Sequence, residues 1–175
     1  MKRVLTVFAV VVMSATSSSA EVIDRIVAVV GGQIITKSDV DTAAALGLAS
    51  DLQELIDRAL MLSEVRRVAP PDPTTAAVEA RIARIRARFA TAETFARALE
   101  LGGLDEAAVR VYAADDLRLS AYLDERFSTA SQPSEDEVRQ ADDSTRARLV
   151  AERRQTLVNA WTAELRRRTD ITVLQ

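Results

Sequence analysis

The sequence predicts a mainly α-helical protein with a small antiparallel sheet of three strands, made by an N-terminal hairpin and a C-terminal strand. In IDRIVAVVGGQIITKSDV, residues 23–40, two β-branched runs flank a Gly-Gly pair, which is typical of a hairpin. Helix caps and apolar residues at helical spacing then follow one another as far as residue 168. Because an isolated two-stranded ribbon is marginal in water, we assign the closing run ITVL, residues 171–174, as the third strand.

The composition indicates one folded domain and excludes several function classes. The 175 residues are 48% hydrophobic and 28% charged, so disorder is not expected. The formal net charge of −3 gives no reason to expect a nucleic-acid partner. The absence of Cys and His removes disulfides, thiol nucleophiles and most zinc sites. No GxxxxGKS or GxxxxGKT run is present, so we expect neither an ATP-driven cycle nor a cofactor.

The first twenty residues are typical of a signal peptide. Lys2 and Arg3 precede the apolar run 4–13, and a small polar stretch leads to Ala20, so cleavage is expected between Ala20 and Glu21. A retained membrane anchor is the alternative, but ten residues of helix span only about 15 Å, half of a bilayer core. The sequence therefore predicts an exported protein without stable membrane insertion, whose mature chain carries 21 basic and 26 acidic residues.

The hairpin has a predicted register. Gly31-Gly32 suits the two positive-φ positions of a type I′ turn. Because nearly all strand residues are apolar, we expect both faces of the hairpin to be covered, or nearly so. The expected pairs are Val30 with Gln33, Val29 with Ile34, Ala28 with Ile35, and Val27 with Thr36.

Three helices are predicted in the first half of the mature chain. Ser38 begins a short one that runs to about Leu48, and a capping box at Ser50 begins a second that ends before Pro70. Asp72, followed by proline, is the expected cap of the third. Apolar residues of that helix recur at helical spacing, at Val78, Ile82, Ile85 and Phe89.

Further caps predict four more helices. The first of these is short and ends at Gly102-Gly103, the second runs to about Arg126, and the segment 128–133 is a loop. The last helix ends with three arginines, as the helix dipole favours. The expected caps are Thr91, Asp105 and Ser134, and the last helix is expected to follow Asp142-Asp143-Ser144.

The order of these segments carries a family resemblance. After the signal peptide and the hairpin come LIDRALMLSEVRRV, RIARIRARFATAETFARAL, LRLSAYLDERF and QPSEDEV. This order resembles the N-terminal chaperone region of SurA-type periplasmic proteins over residues 22–138, and residues 148–174 are similar to that module's closing helix and strand. In the family, parvulin isomerase domains lie between these two parts. Only residues 139–147 lie there in this chain, so the resemblance implies one SurA-N-like chaperone domain, residues 21–175, without the catalytic domain.

Clustered charges admit a catalytic or ligand-binding interpretation, but structural roles explain them better. We expect Asp115 and Asp116 to pair with Arg118 and with Arg110 or Arg84, while the acids at 135–137 form a cap. The solvent-side and helix-terminal arginines need no anionic ligand. We therefore predict no catalytic or metal-binding residues. These arginines are Arg81, Arg84, Arg86, Arg88, Arg166, Arg167 and Arg168.

A chaperone needs exposed apolar area to hold unfolded clients. The short helix from Thr91 to Leu101 is the candidate movable flap, because a helix of this length depends on docking for its order. Each aromatic residue at helical spacing also has a core interpretation. The predicted client-binding residues are Phe89, Phe95, Leu99, Tyr112 and Tyr122.

The function expected from the sequence is that of an exported, ATP-independent chaperone. The expectation of export rests on the predicted signal peptide. The resemblance implies the client class, which is unfolded envelope and outer-membrane proteins in the periplasm. A dedicated envelope adaptor on the same scaffold remains the alternative, and a residual prolyl isomerase is a weaker one, since no residues for a proline pocket are found. The oligomeric state is not determined by the sequence.

Overall fold

A computed structural model of the chain describes residues 24–174, and the predicted signal peptide with its Ala20–Glu21 cleavage site lies outside this range. Within it the chain forms seven helices and one three-stranded antiparallel sheet, which confirms the predicted fold class. The elements are β1 Ile26–Val30, β2 Gln33–Thr36, α1 Lys37–Leu46, α2 Leu52–Val68, α3 Thr75–Arg86, α4 Ala92–Leu101, α5 Glu106–Phe127, α6 Glu135–Gln140, α7 Asp143–Arg168 and β3 Ile171–Val173.

The hairpin register is confirmed at three of its four predicted pairs. Gly31 and Gly32 take φ values of 54° and 84°, and the three pairs nearest the turn match the prediction. The fourth pair is wrong, because Thr36 lies opposite Ile26 instead of Val27 and the register shifts between Ile26 and Ala28. Thr36 is already the N-cap of α1, so the strand ends where its side chain turns to the helix.

The C-terminal strand joins the hairpin as predicted. The strand order is β2-β1-β3, and the Leu174 amide donates to the Val27 carbonyl at 2.9 Å. Coverage of both hairpin faces was expected, but this is wrong for Ile34, which is 53% exposed while its neighbour Ile35 is 3% exposed. The buried helix residues that pack with the hairpin come from α2 and α7, and they share one cluster with Val27, Ala28 and Ile35.

Two clusters of buried residues form the interior. The sheet core joins the hairpin to α2 and α7, and the helical core joins α1, α3, α4 and α5. The buried residues of the sheet core are Val27, Ala28, Val30, Ile35, Ile56, Ala59, Leu60 and Leu165. Those of the helical core are Leu46, Val78, Ile82, Ile85, Phe95, Leu99, Val109 and Ala113.

The predicted caps divide into two groups. The caps Thr91, Asp105 and Ser134 are confirmed, whereas α7 begins two residues earlier than expected, with Asp142 as its cap. The other three predicted caps are wrong by one or two residues. At each of these helix starts, several neighbouring residues could act as the cap, and the cap is the one whose side-chain oxygen accepts from the backbone amide three residues later. The actual caps are Thr36 instead of Ser38, Asp51 instead of Ser50, and Thr74 instead of Asp72.

Candidate functional site

A groove of about 580 Å³ lies where the end of α3 meets the start of α4. Its apolar wall contains Ile82, Phe89 and Phe95, and alanines at 83, 87, 90 and 92 also line it. Because these alanines have little side-chain volume, the larger residues around them enclose a hollow. Glu79 and Arg86 are its charged members. The result is an apolar cleft with charges beside it, open to solvent.

Two of the predicted client-binding residues meet in this groove. The Phe89 and Phe95 rings lie edge to face, with centroids 5.2 Å apart, which is a favourable aromatic geometry. Phe95 is only 6% exposed, whereas Phe89, which follows the end of α3, is half-buried. The Arg86 guanidinium lies 5.4 Å from the Phe95 ring centroid and donates to Glu106 at 2.9 Å. A ligand in the groove would therefore meet Phe89 first.

The short helix predicted as a flap forms one wall of the groove. Thr91 and Thr94 close a capping box at its start, and it places Phe95 and Leu99 in the helical core. Leu101, at its end, is 82% exposed. The helix is docked in this structure, so a client could reach Phe95 or Leu99 only if α4 moves.

The two predicted tyrosines lie away from the groove. Tyr112 packs against the helical core and lines a separate cleft of about 190 Å³ beside β2. Burial raises the pKa of its phenol, and the nearby Asp39 carboxylate adds to this, so Tyr112 stays neutral at physiological pH. Tyr122 stacks on Trp161 of α7, with centroids 5.6 Å apart. The structure thus does not bring Tyr122 together with the phenylalanines.

A buried ion cluster between the helices was only partly predicted. Asp116 accepts from Nη1 of Arg58 at 2.9 Å, and its second oxygen lies 2.7 Å from Nε of Arg81. The Arg58 side chain is only 9% exposed. Arg81 was expected on the solvent side, which is wrong, because Asp116 draws it inward. The burial of Arg58 could have been predicted from the apolar stripe of α2. Arg58 follows Leu55 at the three-residue spacing that places both side chains on one face of the helix.

The remaining charged clusters have structural partners. Asp115 pairs with Arg118 as predicted and also with Arg66, whereas Arg110 pairs with Glu79 instead of the aspartates. The predicted cap at the acidic cluster is also confirmed, since Glu137 accepts from the Ser134 amide at 2.7 Å. Its hydrogen bond from Arg153, followed by those from Ser134, lowers the pKa of Glu137 to about 2.

The terminal arginines of α7 also contact protein groups. Arg166 binds Asp57 and Gln53 of α2, and Arg168 pairs with Glu64. Across residues 24–174, no group of three or more acidic, His or Cys side chains is placed to hold a metal ion. Within the same range, no helix combines the length and apolar character needed to cross a bilayer.

Comparison of the sequence with protein-family models and with curated proteins found no match.

Proposed function

We propose that this protein is an exported, ATP-independent chaperone that holds unfolded envelope proteins, above all outer-membrane proteins, in the periplasm. The observation that carries this proposal is the apolar groove between α3 and α4. Apolar contact is non-directional, so such a cleft suits clients of many sequences. Its mobile element would be a ten-residue helix that puts two buried side chains into the core.

The way the chain closes on itself agrees with the resemblance to SurA-type modules. In that family the final helix and strand return to the N-terminal part, and here β3 pairs with β1 while α7 packs on α2. Helix α6 ends at Gln140 and α7 begins at Asp143, so the two elements are separated by two residues. This spacing supports a chaperone module without an inserted isomerase domain. A protease-coupled assay on proline peptides should accordingly show no rate above background.

The proposed export predicts the mature N-terminus. Signal peptidase should cleave after Ala20, and the protein recovered from the cell envelope should therefore begin at Glu21. Intact-mass spectrometry of envelope fractions measures this directly. A mass that retains residues 1–20 would mean that the apolar run is an anchor and that the proposed route of export is wrong.

The holding activity is tested by suppression of aggregation with several unrelated unfolded proteins. Phe89→Asp places a charge in the groove at a half-buried position outside α3 and α4, so the fold should persist while holding of all clients decreases. Phe95 is a poorer site for this test, because a charge at a residue only 6% exposed would destabilise the helical core as well. Val111→Asp is the matched control, since Val111 is 60% exposed, lies within α5 and does not line the groove.

Three outcomes have distinct meanings. Reduced holding by Phe89→Asp with unchanged circular dichroism supports the groove as the client site, provided that Val111→Asp holds clients normally. Full activity of a folded Phe89→Asp variant would place the site elsewhere. Protection of one client alone by the wild-type protein would contradict general holding and favour the dedicated adaptor.

A further inference from the structure

Helix α4 is attached to α1 by polar contacts beyond both of its ends. Before α4, Nη1 of Arg88 donates to the carbonyls of Leu46 and Gly47, at 3.1 and 3.2 Å. These carbonyls belong to the C-terminal end of α1, where the helix dipole favours a cation. After α4, the Thr42 hydroxyl donates to the Gly102 carbonyl at 3.4 Å.

Both contacts depend on a glycine that makes room for the partner side chain. A Cβ at Gly47 would overlap the Arg88 guanidinium, and a Cβ at Gly102 would overlap the Thr42 hydroxyl. Gly47 also has a φ of 63°, which favours glycine in its own right. Gly102 has an ordinary helical φ of −84°, so close approach is the only constraint seen at that position.

The two contacts differ in strength and in what surrounds them. Arg88 brings a charged donor to two carbonyls, whereas the Thr42 bond is long for a hydroxyl donor. Arg88 also precedes Phe89, so the stronger contact lies at the groove end of α4. At the other end, Gly103 has a φ of 63° and open space around its Cβ position, which leaves the chain free to turn there.

We propose that α4, which forms one wall of the apolar groove, acts as a lid on the helical core behind it and that Arg88 is its latch. When the guanidinium leaves the α1 carbonyls, α4 pivots about Gly102-Gly103, and the apolar side that carries Phe95 and Leu99 becomes accessible. The client that enters rests on the function proposed above. The opening is a property of the chain and is measured without any client.

The latch is tested by hydrogen exchange of the α4 amides, followed by mass spectrometry. Arg88→Met keeps much of the aliphatic stem and removes the donors, so exchange within residues 92–101 should become about tenfold faster, as expected for loss of a hydrogen bond from a charged donor. Exchange in α2 and α7 should not change. Arg84→Met is the matched control, because Arg84 is an exposed arginine of α3 outside this contact, and it should leave α4 unaffected.

Two exchange results would overturn the latch. One is wild-type exchange of α4 in Arg88→Met, which would mean that the contact does not restrain the lid. The other is an equal rise in α2 and α7, which would make Arg88 a stabiliser of the whole fold. The variant is expected to fold, since Arg88 is exposed and contributes no side chain to either core.

A disulfide at the opposite end tests the pivot. A Cβ at Gly102 would lie 3.4 Å from Cβ of Thr42, close to the spacing of a disulfide, and the chain contains no other cysteine. Thr42→Cys with Gly102→Cys, oxidised in the Arg88→Met background, should keep the fast exchange at the start of α4. If oxidation abolishes it, the lid moves at the Gly102 end and the proposed pivot is wrong.

Client affinity separates this inference from the proposed function. A labelled unfolded outer-membrane protein should bind Arg88→Met about tenfold more tightly, because apparent affinity rises with the open fraction. Suppose that the wild-type protein holds the client and that α4 exchange is faster in Arg88→Met. If the affinity for the client is then unchanged, α4 does not control access of the client. Failure of the wild-type protein to hold any client would contradict the proposed function, and the exchange result would still decide the latch.

Discussion

The two cores differ in how far apart along the chain their residues lie. The sheet core brings Val27 and Val30 together with Leu165, so it joins the beginning of the described chain to its end. The helical core lies within residues 46–113, on α1, α3, α4 and α5. Both interiors are well packed, since Ile56 in the first and Ala113 in the second are completely buried. Separation in sequence, and not quality of packing, distinguishes them.

This difference has a consequence for local opening. Residues that join distant segments separate only when much of the chain unfolds, whereas a short segment between two linkers can leave a core by itself. Helix α4 is such a segment, and it contributes only Phe95 and Leu99 to the helical core. We therefore expect the sheet core to set global stability and the helical core to permit local motion.

Removal of the closing strand should have the largest effect. Deletion of residues 170–175 removes β3, the hydrogen bonds to Val27 and Gly31, and the packing of Ile171 on the sheet core. The loss should be about 3–5 kcal/mol, a large part of the stability of a typical domain. Urea denaturation measures it, with Thr172→Ala as the control. An unchanged midpoint would show that the sheet core does not depend on the strand.

Loss of Asp116 should also have a large effect, because its ion cluster joins the two cores. Arg58 lies on α2, which packs in the sheet core, while Arg81 and Asp116 lie on helices of the helical core. Asp116→Ala leaves Arg58 buried without a counter-charge and should cost about 3 kcal/mol.

A second variant of this cluster separates charge from packing. Arg58→Met keeps the volume, leaves Asp116 paired with Arg81 and removes Nη2, a buried donor without a hydrogen-bond partner among the described residues. It should cost clearly less than Asp116→Ala, because Asp116 keeps Arg81 as a counter-charge and is itself 22% exposed. Equal losses in the two variants, measured by thermal and urea denaturation, would contradict this account.

Substitution of one buried leucine in each core compares the stability of the two cores directly. Leu165 is 2% exposed in the sheet core and Leu99 is 7% exposed in the helical core. Leu165→Ala should lower the global free energy of unfolding by about 2–5 kcal/mol. Leu99→Ala should lower it less and should instead speed amide exchange within α4, because α4 can undock alone. Similar global losses and no local change in exchange would remove the distinction between the cores.

The smallest expected effect concerns α6, since none of its residues 135–139 belongs to either core. Bonds from Arg153 and Ser134 lower the pKa of Glu137 from its ordinary value of 4.5 to about 2. A lowered carboxyl pKa stabilises the folded form above about pH 4.5, and this contribution is lost as pH falls towards 2. The protection factors of the α6 amides, which correct for the intrinsic pH dependence of exchange, should therefore fall over that range. In Glu137→Gln this pH-dependent step should be absent, and its persistence would assign the effect to another group.

Local signals in the sequence determined much of this fold. Gly31-Gly32 set the turn and three hairpin pairs, because a two-residue loop leaves little freedom in register. Single, isolated cap residues such as Thr91 and Asp105 marked helix starts correctly, and the β-rich ending predicted β3. The sequence likewise singled out Phe89 and Phe95, although it grouped them with Tyr122, which packs elsewhere.

The tertiary structure alone decided which residues meet across helices. Asp116 pairs with Arg58 and Arg81 because α2 and α3 both pack on α5, an arrangement that no spacing within one helix encodes. The same holds for Arg88, whose solvent-side position in the sequence pattern gave no sign of the α1 carbonyls that it reaches. Ile34 stays 53% exposed beside an open cleft that it lines together with residues of α2 and α5, whereas the adjacent Ile35 is buried in the sheet core. Caps and turns involve neighbours within four residues, whereas these contacts depend on how whole elements pack, and that is determined by the sum of many side-chain contacts.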